Sequence, residues 1–151
     1  MIPGPTARSS AALVAALLLS SCARGASPAP LQSLDKTKSL AASQHEIVML
    51  LLEKKEYAKA QAEAAKIFQM NWPDSQEDVL LKELRFLADQ FLHYGPQLGL
   101  DLLESSEKNF KARKSRIAIL KEKGYLYKSL NQRDKAIECF REAQRLEQQE
   151  K

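Results

Sequence analysis

The side chains able to do chemistry in this sequence are few and scattered. It has two histidines and two cysteines in 151 residues. His45 is followed by Glu46, but no second histidine stands four residues on. Two imidazoles therefore do not share one helical face, as a helical zinc-protease site requires. Cys22 and Cys139 lack the paired spacing of a zinc site. The five glycines are dispersed and form no phosphate-cradling loop. No serine sits in a nucleophile elbow. The many acidic residues fall on amphipathic patterns, where carboxylates are solvated. The expectation is no catalytic residue, no metal, no cofactor and no small-molecule substrate.

Charge narrows the partner classes. The net charge is +4, with 28% charged and 44% hydrophobic residues. That suits one domain with a packed core. The cationic excess is too small to imply nucleic acid, and no basic–aromatic run offers a stacking platform. The cations concentrate in Lys108–Lys123, which holds Lys108, Lys111, Arg113, Lys114, Arg116, Lys121 and Lys123 with Glu122 as the one acid. This run reads as a solvated connection. Held near a bilayer, it would also meet anionic lipid or phosphate.

Residues 1–21 read as an address, to be kept out of fold reasoning. Arg8 precedes Ala11–Leu19, an apolar run of nine residues. A membrane span needs about 20. The run ends Leu19-Ser20-Ser21-Cys22, which resembles a bacterial lipobox. That resemblance implies a diacylglyceryl group on the Cys22 thiol, cleavage before Cys22 and acylation of the new amine. Acyl chains contribute about 0.8 kcal/mol per buried methylene, so such an anchor holds. Ala23, rather than Asp, implies a bacterial envelope protein lipid-anchored to the outer membrane and facing the periplasm. The alternative is an ordinary cleaved signal and a secreted or periplasmic soluble protein. Residues 22–37, rich in Ala, Ser and Pro, read as a flexible tether. Cys139, beside Phe140, reads as a small hydrophobe rather than a disulfide partner.

The remaining residues, 38–151, show helical periodicity. Gln44, Ile47, Val48 and Leu51 give a first stripe, broken by Lys54-Lys55-Glu56. Tyr57, Ala60, Ala64, Ile67 and Phe68 give the second, ended by Trp72-Pro73. Trp72 is expected to pack between the first and second units. Leu84, Leu87, Ala88 and Phe91 form a third stripe, His93–Pro96 a turn, and Gly99, Leu102, Leu103 and Ser106 a fourth.

The clearest hairpin is Gly124–Ala143. Gly124, Tyr127, Ala136, Phe140 and Ala143 are spaced 3, 9, 4 and 3 apart, with Asn131 at the turn. Small residues permit close helix approach and rings fill the space between. This pattern resembles the tetratricopeptide repeat. It departs from the family at Leu120, Lys123 and Gln148, where Trp, Leu and Pro are usual. Aligning Ala60, Gly99 and Ala136 gives periods of 39 and 37, against 34 in the family. The expected fold class is all-α: about six helices as three antiparallel αα hairpins forming a short tetratricopeptide-like superhelix. A plain six-helix bundle is the alternative.

The resemblance implies a function. First helices of such repeats line a concave groove, facing it one and four residues beyond the Gly-like position. Carried onto this chain, the groove candidates are His45, Met49 and Leu52; Arg85, Asp89 and His93; and Lys121, Tyr125 and Lys128. Such a groove would be apolar at one end and cationic at the other, suiting an extended peptide with acidic groups. Met49 and Leu52 lie in Ile47–Leu52, apolar all round, and need cover from a ligand or from the chain's own Leu31, Leu34 or Leu40 folding back, the latter preferred. The Lys–Asn pairing that clamps a peptide carboxylate is missing, because Asn109 and Asn131 lie off the groove. The expected protein is a membrane-anchored interaction adaptor or scaffold, an assembly factor of the envelope. The alternative is a structural or self-associating lipoprotein without a groove ligand.

Overall fold

The computed structural model describes residues 30–149. Six α-helices follow one another among the described residues: α1 (Pro30–Glu53), α2 (Tyr57–Gln69), α3 (Glu77–Leu92), α4 (Pro96–Ser106), α5 (Arg113–Ser129) and α6 (Arg133–Gln148). Single 3-10 turns at Asp74–Gln76 and Glu107–Asn109 precede α3 and follow α4. There is no strand among the described residues. The fold is all-α, as the periodicity predicts. The helices pair as hairpins α1–α2, α3–α4 and α5–α6.

The first and third hairpin turns are built alike. Lys55 and Asn131 are the two non-glycine residues with positive φ among the described residues, at 61° and 58°. Each closes a Schellman motif. The Lys55 and Glu56 amides donate to the carbonyls of Leu52 and Leu51, both at 2.9 Å. The Asn131 and Gln132 amides donate to those of Lys128 and Tyr127, at 3.0 and 2.9 Å. In the second hairpin no left-handed residue occurs, and Pro96 opens α4. This is why Gly99 follows Ala88 one residue sooner than Ala60 follows Val48.

The units stack in a fixed register. Asp74–Lys111, Asp78–Lys114 and Arg85–Glu122 contact at 3.1, 2.7 and 2.6 Å. The members of each pair lie 36 or 37 residues apart. A constant offset means α3 and α5 run parallel. Gln61 Nε2 donates to the Leu98 carbonyl, again 37 residues on. The architecture is helical-repeat-like. The offset of 36 or 37 between the second and third units matches the 37 residues from Gly99 to Ala136. Contacts between the first and second units are offset by 37 or 38, against 39 from Ala60 to Gly99. Those three are buried, and so are Gly124 and Ala143; Tyr127 and Phe140 are half-buried.

The connections between units are held by side chains. Trp72 Nε1 donates to the Ile67 carbonyl at 2.8 Å, closing the last turn of α2. Glu77, at the start of α3, accepts from the Lys111 and Ala112 amides at 3.2 and 2.9 Å. It satisfies amides at the start of α5, which supplies no cap of its own.

Two expectations need correction. Helix α1 starts at Pro30, so the stretch 30–37, assigned to the tether, is helical. Most of residues 33–40 are exposed, so this end carries no apolar stripe to betray it. The buried face of α1 is also rotated. Ala41, Val48 and Leu52 are buried, while Ile47 is exposed. The buried positions obey a strict helical spacing that runs through half-buried His45. Within Ile47–Leu52 every residue is apolar, so hydrophobicity alone could not set the phase.

Candidate peptide groove

Helices α1, α3 and α5 position the groove candidates. His45 bridges the first two units. Its Nδ1 lies 2.6 Å from Glu83 Oε1. Its ring centroid lies 5.3 Å from that of Phe86. Met49 is half-buried against the core. Leu52 is 1% exposed and belongs to the core, not the groove. The core shared with Val48, Ala60 and Ile67 covers it, and not a fold-back of Leu40, which is 52% exposed on α1 itself.

The cationic end is compensated. Arg85 forms a two-point pair with Glu122, through Nε at 2.8 Å and Nη2 at 2.6 Å. Lys121 meets Glu147 of α6 at 2.6 Å. Asp89 of α3 and His93, the residue that caps its end, stand 3.7 Å apart, both exposed. Lys128 is exposed and has no ion-pair partner among the described residues. Tyr125 is 59% exposed, with its ring edge-on to Phe140 at 5.2 Å. Lys121 and Tyr125 thus lie toward α6, not toward Arg85. The nine candidates do not converge on one surface.

The groove is closed between α3 and α5 and open between α1 and α3. The space bounded by Arg85, Ala88, Leu92, Glu122 and Leu126 is about 50 Å³. Between α1 and α3 lies a cleft of about 670 Å³. His45, Ala41 and Ala42 line one wall, Val79, Leu80 and Phe86 the other, with Trp72 also lining it. Lys38, Glu46, Lys82 and Glu83 stand around it, two of each sign. Phe86 and Val79 are each 46% exposed. Of the predicted candidates, the cleft keeps His45 alone. Sequence reasoning missed Val79 and Phe86, although both are large apolar residues outside the buried Leu80, Leu84, Leu87 and Phe91 stripe of α3.

Burial pushes the Cys139 thiol pKa up, so the protonated form persists at neutral pH. Tyr127 Oη donates to Glu104 of α4 at 2.6 Å. That hydrogen bond, with burial second, holds the phenol well above the usual tyrosine range. No group of three metal-ligating side chains gathers among the described residues. No described helix is long and apolar enough to cross a membrane. Cys22 lies outside the described residues. Comparison of the chain with protein-family models, with curated proteins and with solved structures finds no match.

Proposed function

We propose that this chain is a membrane-tethered adaptor of the bacterial envelope, with a tetratricopeptide-like domain that takes a peptide in the cleft between α1 and α3. The observation that carries the reading is that cleft: about 670 Å³, with Phe86 and Val79 exposed in it. An apolar anchor residue from a partner fits its walls. Charges of both signs at the rim favour a segment with mixed flanks rather than a purely acidic one. The lipobox-like Leu19–Cys22 supplies the tether. Acyl chains on Cys22 fix the location and the cleft recruits the partner, which makes the protein an assembly factor.

The test is site-specific photocrosslinking in native cells. A photoreactive residue at Val79 should capture a defined partner, and Ala42→Trp, which fills the cleft, should abolish the capture. Capture that survives the filled cleft overturns the reading. For the tether, Cys22→Ala should remove acyl labelling and membrane retention. A second reading, self-association, is favoured by exposed Tyr125 and Ile137 at the α5–α6 end. It predicts a mass that rises with concentration and falls with Tyr125→Glu.

A further inference from the structure

A second concavity, of about 400 Å³, lies where α4 leads into α5. Lys108, Lys111, Arg116 and Lys123 line it, above an apolar floor that includes Phe110 and Ile119. Its carboxylates are already engaged. Glu107 lies 2.9 Å from Lys123, and Glu142 lies 2.5 Å from Arg145. Lys111 is drawn aside to Asp74. Lys108 and Arg116 make no contact ion pair among the described residues. The Arg145 hydrogen bond, and after it the Arg116 charge, holds the Glu142 carboxyl below its ordinary value.

Lys123 makes this more than a group of surface cations. Its side chain is 12% exposed, yet its ammonium donates to one acceptor, Glu107, among the described residues. An ammonium carries three protons. A covered lysine stem whose ammonium reaches a concavity shared with a guanidinium, with two protons not donated to protein among the described residues, suits an anion with several acceptor oxygens. Phosphate supplies three or more, and its geometry matches the planar fork of Arg116. A carboxylate offers two, and Glu107 already fills that role.

We infer that this cleft binds a phosphate-bearing group through Lys108, Arg116 and Lys123. The site is independent of the α1–α3 cleft. The group can be a free phosphate or the headgroup of an anionic phospholipid, and the same three cations serve both.

The test uses the full chain with Cys22→Ala, so that no acyl anchor masks the result. One arm titrates inorganic phosphate by calorimetry. The other measures co-sedimentation with phosphatidylglycerol–phosphatidylcholine vesicles, relative to phosphatidylcholine alone. Lys108→Gln and Arg116→Gln should each weaken binding about fivefold. Lys128→Gln, the same charge change outside the cleft, should alter it less than twofold. Loss in the vesicle arm alone assigns a lipid headgroup. Loss in the phosphate arm assigns the free anion. Binding to neither probe, or equal loss with Lys128→Gln, overturns the site. Lys108 and Arg116 are exposed, so unchanged melting of both variants is the expected fold control.

Discussion

Gly99 packs directly on the backbone of Ala88. A Cβ added at Gly99 would lie 2.9 Å from the Ala88 carbonyl oxygen and 3.5 Å from Leu126 Cδ1. A helix-internal carbonyl cannot step aside, so α4 would have to move off α3. Gly124 is crowded differently: an added Cβ would meet the Phe140 ring at 2.7, 2.8 and 3.0 Å. That ring is half-buried and can swing. Alanine itself favours a helix by about 1 kcal/mol over glycine, which offsets part of either clash. Overpacking costs about 1–3 kcal/mol. Gly99→Ala should therefore destabilise by about 2 kcal/mol in urea unfolding, and Gly124→Ala by about 1 kcal/mol or less. The reverse order would mean that Phe140 is held more rigidly than its exposure implies.

The helix count, the hairpins, the turn at Asn131 and the 37-residue offset of the last two units were legible in the residues. Each rests on local chemistry: a stripe, a small residue facing a ring, a residue that tolerates positive φ. The site was less legible. Concave positions carried over from a family assume even stacking, but α1 and α3 open a cleft while α3 and α5 close theirs. Arg85 and Lys121 looked like free cations because Glu122 and Glu147, their partners, are distant in sequence. Lys55 also escaped notice, because lysine does not advertise a left-handed turn.

Lys55 offers a gain in stability. An L-residue at φ 61° carries a steric cost of roughly 1–2 kcal/mol that glycine escapes. Glycine gives back part of this through its greater unfolded freedom. Lys55→Gly should stabilise by about 0.5–1 kcal/mol. Asn131→Gly should change little, since Asn already tolerates this conformation. A loss of stability in Lys55→Gly would show that the Schellman turn there is not populated.

Tyr127 predicts an alkaline signature. Its phenol is raised above the usual value of 10.0 by the hydrogen bond to Glu104. The fold therefore holds the proton more tightly than the unfolded chain does. The resulting stability is fully present below pH 10 and is lost as pH rises from there through the folded pKa. Tyr127→Phe should be less stable at pH 7 by about 1 kcal/mol, the worth of one hydrogen bond. The gap between parent and variant should narrow in denaturation series above pH 10. A constant gap from pH 7 to 11 would mean that Glu104 does not hold the phenolic proton.

Leu52 and Phe86 separate core from cleft. Leu52 is 1% exposed, so Leu52→Ala leaves a cavity and should cost about 2–5 kcal/mol. Phe86 is 46% exposed, with its ring centroid 5.3 Å from that of His45. Phe86→Ala should cost about 1–2 kcal/mol, because only roughly half of the ring is covered to begin with. Capture of a partner by a photoreactive Val79 should nevertheless fall in Phe86→Ala. It should persist in Leu52→Ala wherever that variant remains folded. Arg85→Ala makes the contrast sharper, since its charge is already spent on Glu122. If Arg85→Ala abolishes capture while Phe86→Ala leaves it intact, the partner sits on the charged α3–α5 ridge and not in the apolar cleft.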